Sequence, residues 1–477
     1  MNVRVNNLSA TTERRASSLD ALRGYAILTM VLSATVVFGI LPAWMYHMQE
    51  PPPTHVFQPE RAGLTWVDLV FPFFLFAMGA AFPFSVGKKM RRGVSVWKLG
   101  YEALKRGVQL TFFAIFIQHF YPYMLSSPQD TRAWLLAIAC FLVLFPMFMR
   151  IPLLLPEWLH LVIKLGAYAV AVCMMTFTDY AAEASFSFFT SNIIILLLAN
   201  MAMFGTWTYM LTYRCGWQRV LVMVGVMGFS LSAGVQGSWA ELVYNYSPFP
   251  WAFRFEYLRY LCIVLSGSLA GDLLLRWMQE STGMDAEPSK GRAVLVGVLC
   301  LLVILTCLVG LYQQADGLTF LICLGWLLIG WIALSGYRDG TGGLWRSLWM
   351  LGIALLLVGF LFEPFQGGIK KDGPTIGYLL ITAGLATMAL IAFHIVCDYF
   401  RCHRATAFLT MSGQNPMIAY VACDLLIYPL LGLTGLRPYL EVFASNPWLG
   451  FLQGVLLTAL AMLVTMFFTR IKWFWRT

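Results

Sequence analysis

Two histidines and an aspartate near the start of the chain have the types and spacing to do chemistry. His47 and His55 fall in a short polar stretch between two apolar runs, and Asp68 opens the second run, GLTWVDLVFPFFLFAMGAAFPFS. Imidazole titrates near neutrality, so a histidine held by a carboxylate can take a proton from a hydroxyl or amine and hand it to a leaving group. An aspartate in a hydrocarbon-length segment is disfavoured by roughly 2.5 to 3.5 kcal/mol on insertion scales. Asp68 therefore lies at an interface or lines a wet, occupied cavity. The competing reading is two solvated loop histidines and a carboxylate that offsets the dipole in a first helical turn. These residue types make an Asp–His pair the economical form of a general base, with either His47 or His55 beside Asp68.

SGQNPMIAY, from Ser412 to Tyr420, is a second constellation. Gln414 and Asn415 precede Pro416, which lacks a donor and frees a carbonyl, so the spacing predicts a locally unwound polar site, with Asp424 following in the same span. Hydrogen bonding between helices is the alternative. A third is the basic segment that begins Lys88, Lys89, Arg91, Arg92 and continues through Lys98, Lys105 and Arg106. Such clusters bind the phosphates of a nucleotide or coenzyme, or simply mark a cytoplasmic face. No GxxxxGK[ST], HExxH, GxSxG or metal-spaced His/Cys cluster occurs, which argues against ATP-driven transport, zinc hydrolysis and an elbow-type serine hydrolase.

The elements that must position these groups are membrane helices. A chain of 477 residues that is 59% hydrophobic, 15% aromatic and 12% charged cannot bury that much apolar surface in a soluble core. Apolar runs of spanning length recur throughout, and lipid leaves unpaired backbone groups no partner, so the expected fold class is an all-α polytopic bundle of about 14 transmembrane helices. Expected spans start near Gly24, Trp66, Leu104, Ala133, Leu159, Ser191, Val220, Tyr257, Ala293, Leu318, Leu348, Thr375, Ala407 and Trp448. With both termini cytoplasmic, most of the 32 lysines and arginines fall inside, as the positive-inside rule requires. The net charge of +9 is thus a topology signal and an attraction to anionic lipid, with no need for a nucleic-acid partner.

On this reading 1–477 is a single transmembrane domain. It comprises a cytoplasmic segment 1–21, the motif-bearing first two spans with their outer loop at 22–86, and the remaining bundle at 87–477. The outer loop holds Pro51, Pro52 and Pro53, a stiff run. A later outer connection, EPFQGGIKKDGPT, places Lys370, Lys371 and Asp372 on the side that otherwise avoids lysine. The ten cysteines lack CxxC spacing and read as small buried residues, with no metal site. The small-residue run SGSLAG would pack either within the chain or between two copies, as in a homodimer.

The opening residues resemble those of the heparan-alpha-glucosaminide N-acetyltransferase family of membrane acyltransferases, and its bacterial branch most closely. The family's Ser-hydrophobic-Asp-x-x-Arg-Gly start is matched by Ser18, Leu19, Asp20, Arg23 and Gly24. Its Gly-Leu-Thr-x-x-Asp-Leu-Val-Phe-Pro run is matched by Gly63 to Thr65 and Asp68 to Pro72, then Phe76, Met78 and Gly79. Weaker echoes are SGSLAGDLL near Gly267, Lys371 before a threonine-rich helix, and Gly413 with Asn415. The resemblance implies transfer of an acetyl group from cytoplasmic acetyl-CoA across a bacterial inner membrane to a sugar or glycan on the far side. It gives the essential outer histidine as His55, with His47 as fallback, and aligns a family asparagine with Ser33.

Together these readings give a membrane acetyltransferase that uses acetyl-CoA as cosubstrate. His55, His47 and Asp68 are its catalytic candidates, and Asn415, Gln414, Lys371, Ser33 and Asp424 would meet the acceptor. Arg23, Lys88, Lys89, Arg91 and Arg92 would meet the coenzyme. The rival class is a proton-coupled transporter or flippase for a sugar, lipid-linked glycan or organic acid, built on the same polar groups. A sensor or assembly subunit without turnover is the third.

Overall fold

The computed structural model describes residues 16–149, 156–181, 185–279 and 287–476. Of the expected N-terminal cytoplasmic segment, residues 1–15 lie outside the described residues. The fold is all-helical, at 76% helix with no strands among the described residues.

The first half of the chain contributes α1 (Ser17–Thr35), α2 (Trp66–Ala80), α3 (Phe82–Arg91), α4 (Val96–His119), α5 (Pro122–Leu125), α6 (Thr131–Phe148), α7 (Glu157–Phe177), α8 (Ile193–Leu211), α9 (Gly216–Ala233) and α10 (Trp239–Asn245). The second half contributes α11 (Leu261–Gln279), α12 (Lys290–Tyr312), α13 (Asp316–Leu334), α14 (Gly340–Phe362), α15 (Ile376–His394), α16 (His403–Gly413), α17 (Pro416–Ala422), α18 (Tyr428–Leu433), α19 (Arg437–Glu441) and α20 (Pro447–Arg470). Among the described residues, 11 helical segments are long and apolar enough to cross a membrane, the make-up of an integral membrane protein. α1, α4 and α9 have the length, at 19, 24 and 18 residues, but are not in that set. The charges of α4, among them Lys98, Glu102, Lys105 and Arg106, lower its hydropathy.

Hydropathy alone ranks these helices as equals; packing does not. The α2–α3 and α15 windows are 78% and 83% buried, whereas that of α7 is 17% buried. α2 and α15 are therefore the inner helices and α7 faces outward. Every residue of α2 from Val67 to Ala80 is buried, which fits a run apolar all round rather than on one stripe.

Small residues set the closest crossings. A Cβ on Gly267 would lie 2.1 Å from the carbonyl oxygen of Phe76, and one on Gly271 would lie 2.3 Å from that of Ala80, so α11 and α2 touch backbone to backbone. The SGSLAG face is therefore spent inside the chain, which removes it as a surface for a homodimer. Gly24 and Gly413 do the same for α1 and α16, where added Cβ atoms would meet the carbonyl oxygens of Leu409 and Asp20.

Two ends of the bundle follow from its loops. At one end the 36–65 loop joins the 363–375 loop. Gly63 N–H donates to Ile369 O at 2.8 Å, Asp372 N–H donates to Gln49 Oε1 at 2.8 Å, and Gln49 Nε2 donates to Asp372 O at 3.2 Å. At the other end Ser17 and Ser18 N–H groups donate to the Asp398 carboxylate, and Tyr399 O–H donates to Pro288 O.

Candidate functional site

The loop end holds a buried carboxylate with its donors supplied from three directions. Thr65 and Asp68 form a capping box at the start of α2, which satisfies backbone N–H groups that a helix end would otherwise leave without partners. Asp68 Oδ2 accepts from Thr65 N–H at 3.0 Å and Met48 N–H at 3.2 Å. The Thr65 hydroxyl lies 3.0 Å from the same oxygen and 2.8 Å from Tyr46 O, so one proton is shared between them. Oδ1 is left for His47, whose Nδ1 lies 2.8 Å away. Asp68 is 1% exposed, a burial that a carboxylate tolerates only with this many donors. From the first turn of α15, Tyr378 O–H donates to Asp68 O at 2.8 Å.

This arrangement fixes an imidazole. With Nδ1–H given to the carboxylate, Nε2 keeps its lone pair and the ring can act as a base. Lys371 Nζ lies 3.1 Å from Nδ1 and 3.3 Å from Nε2 of His47, and 3.8 Å from Asp372 Oδ2. An ammonium near both ring nitrogens lies against the ring, not at the end of one lone pair. The His47 and Lys371 side chains are 32% and 24% exposed, so both are reachable from the loop end.

The partner of Asp68 is thus His47, which corrects the expected pairing with His55. The His55 ring packs between Phe38 and Tyr46, with centroids 4.5 and 4.6 Å away, and its Nδ1 faces Glu50 O at 3.1 Å. The His55 backbone is in the left-handed region, at φ 50°, and its Nε2 is buried without a hydrogen-bond partner.

A cavity of about 360 Å³ lies along α2 from the opposite side. Its apolar walls include Ile27, Met30, Phe71, Phe74, Met78, Leu110 and Ile195; its polar lining is Arg23, Arg106, Arg476, Gln414, Ser85 and Tyr420. Phe71 is three residues past Asp68, about 4.5 Å of helix rise. The guanidiniums offer fork-shaped donors suited to phosphate, and most of the remaining lining is apolar.

The other expected site residues divide. Arg23 lines the cavity, but Lys88, Lys89, Arg91 and Arg92 do not; they are exposed on and just after α3. Lys89 pairs with Glu102 at 2.6 Å, and Arg91 donates to Pro83 O at 3.3 Å. Gln414 lines the cavity, at a break between α16 and α17 that matches the expected unwinding. Asn415 is fully buried and turned elsewhere: Nδ2 donates to Trp473 O at 2.8 Å and Oδ1 accepts from Trp475 N–H at 3.3 Å. Both ends of that amide are used on backbone, and Asn415 does not line the cavity. Ser33 donates to Met30 O within its own helix. Asp424 lies half-buried in a π-helical turn, Cys423–Ile427. Neither is hydrogen-bonded to His47.

Arg106 belongs to the basic segment but was not among the residues expected to meet the coenzyme, and Arg476 was not singled out at all. For Arg106 a signal existed, because it falls on the stripe of Leu99, Ala103 and Leu110, which are buried. For Arg476 there was none. Its place depends on the fold-back of 471–476, where Arg476 N–H donates to Phe148 O at 2.8 Å and Trp475 is buried against Phe113, Phe141 and Phe145.

Residues 15–274 match the family described as domain of unknown function DUF5009, more than half of the chain, which therefore belongs to that family. No curated protein matches it.

Proposed function

We propose that this member of the DUF5009 family is an acyltransferase of the heparan-alpha-glucosaminide N-acetyltransferase type. It moves an acetyl group from cytoplasmic acetyl-CoA to an amine or hydroxyl of a sugar or glycan beyond the membrane. The observation that carries this reading is that α2 links two complementary features. His47, Asp68 and Lys371 cluster at its start, and an arginine-lined cavity runs along it from the other side.

In this mechanism Arg23, Arg106 and Arg476 hold the coenzyme's phosphates, and Gln414, Ser85 and Tyr420 offer partners to the amides of its arm. The bound thioester supplies the acetyl group. His47 Nε2 takes the acceptor's N–H or O–H proton as the acceptor attacks the thioester carbonyl. Lys371 stabilises the developing oxyanion. The C–S bond breaks and the imidazolium returns the proton to the thiolate, so acetylated acceptor and free CoA leave. Asp68 holds the ring in the required tautomer throughout.

The reading takes α1, α4 and α9 as spans as well, for about 14 in all, with both termini cytoplasmic in a bacterial inner membrane. The test is incubation of purified protein with labelled acetyl-CoA and a panel of amino sugars and glycans, measuring free CoA and labelled product for wild type and His47→Ala. Product formation lost in the variant supports the assignment.

Transport is the second reading, favoured by the helix break at Gln414 and Asn415 beside the cavity, a feature common in secondary transporters. Uptake into vesicles without thioester consumption would establish it instead.

A further inference from the structure

A second cavity, also of about 360 Å³, lies apart from the site above, between α9 and the 3₁₀ turn Phe255–Tyr260 that leads into α11. Val222, Val226, Phe229 and Leu258 make it apolar along its length, and Arg259 and Tyr244 close one end. The adjoining surface of α9 is greasy and exposed, at Val220, Leu221 and Val224, as a lipid-facing surface would be. The head is not like the rest. The Arg259 guanidinium lies 5.1 Å from the centre of the Tyr244 ring and donates from Nη1 to Pro374 O at 3.3 Å, which sets it at the loop end of the bundle. Arg259 Nε and the Tyr244 hydroxyl are both buried without a well-formed hydrogen bond; Ser230 and the Arg259 guanidinium itself are the hydroxyl's polar neighbours. Buried polar groups are nearly always satisfied, so two orphans at one spot mark a missing partner. Glu256 is the nearby carboxylate, acting on Tyr244 and Tyr257, and Arg254 stands beside it.

We propose that this groove binds one anionic phospholipid, with an acyl chain along α9 and its phosphate at Arg259 and Tyr244. A free phosphate would use the head and leave the apolar length empty, and a docked second copy would leave the orphaned donors without an anion. The groove also has room to spare: a side chain added at Gly225, on its wall, would meet nothing within 4 Å. The site does not depend on acyl transfer.

The test uses full-length protein in nanodiscs and measures association of spin-labelled phosphatidylglycerol against phosphatidylcholine, for wild type, Arg259→Gln, Gly225→Trp and, as control, Gly228→Trp, which lies on α9 outside the groove. Wild type should prefer the anionic lipid by about fivefold, the scale of one basic residue at a headgroup. Arg259→Gln should bring that preference to near unity while retaining lipid, and Gly225→Trp should abolish the bound population. Gly228→Trp should behave as wild type. An unchanged preference in both groove variants overturns the proposal. So does displacement of the lipid signal by inorganic phosphate alone, or a change of oligomeric mass in Gly225→Trp, which would assign the groove to a second copy. If Arg259→Gln does not fold, Gly225→Trp and wild type still decide.

Discussion

His47 Nδ1 lies 2.8 Å from Asp68 Oδ1 across 21 residues of chain, and the same carboxylate caps α2 through Thr65. Helix initiation and orientation of the imidazole are one structural event. A general base in this geometry contributes about 10²- to 10⁴-fold, so His47→Ala should reduce CoA release by that factor. His55→Ala, which removes a ring packed between Phe38 and Tyr46, should leave turnover near wild type once matched for folded protein. The reverse ranking would return the role to His55.

Asp68→Asn separates the cap from the base. The amide oxygen can still accept from Thr65 and Met48, but its NH2 then donates to His47 Nδ1 and moves the ring proton to Nε2, the wrong tautomer for a base, so turnover should fall by far more than stability does. Thr65→Ala should show the opposite balance, losing about 1 kcal/mol as cap removals do with turnover largely kept. Thermal unfolding and CoA release measured on the same preparations check both, and equal rate losses in the two variants would count against a role for Asp68 beyond capping.

Lys371→Ala should lower kcat by about 10²- to 10³-fold, the scale seen when an oxyanion donor is removed, with little change in the KM for acetyl-CoA. Lys371→Arg should recover part of the rate. Lys370→Ala is the comparison, since Lys370 pairs at 2.9 Å with the exposed Glu60 and should be nearly silent. A KM effect without a kcat effect would make Lys371 a binding group instead.

At the cavity, replacing Arg23, Arg106 or Arg476 with Gln should raise the KM for acetyl-CoA, about tenfold or more for each charge-assisted hydrogen bond removed. The wild-type KM should also rise with salt. Lys88→Gln with Lys89→Gln should leave it unchanged. If the lysine pair raised KM and the arginines did not, the coenzyme would bind on α3.

Asn415→Ala should release the 471–476 segment, because Asn415 holds it by two hydrogen bonds. The expected cost is about 1 to 3 kcal/mol for buried groups left without partners, together with a new protease-sensitive site after α20 and a raised KM as Arg476 leaves the cavity. A stability loss with intact KM would show that Arg476 does not hold the coenzyme.

Several of these features could be read directly from the residue order. The capping signal Thr65–Asp68, the break at Pro416 and the spanning runs are local: each depends on backbone chemistry within a turn or two. The choice between His47 and His55 was not local. It turns on the path of the proline-bearing loop, which carries His47 onto the α2 cap and tucks His55 between aromatic rings. The basic cluster Lys88, Lys89, Arg91 and Arg92 looked like a phosphate site by density of charge, yet these four residues are exposed, Lys89 pairs with Glu102, and only Arg106, further along the same run, lines the cavity.

By itself, then, the sequence determined a helical membrane chain, because composition and run length act on every segment independently and lipid leaves the backbone no alternative. Tertiary structure alone decided which helices are inner, which face of SGSLAG is spent within the chain, and which cations meet. Residues as distant as Arg23, Arg106 and Arg476 come together only when α1, α4 and the 471–476 fold-back pack around α2. Those contacts depend on backbone approach at glycines and on the shapes of opposing side chains, and both arise between segments rather than within them.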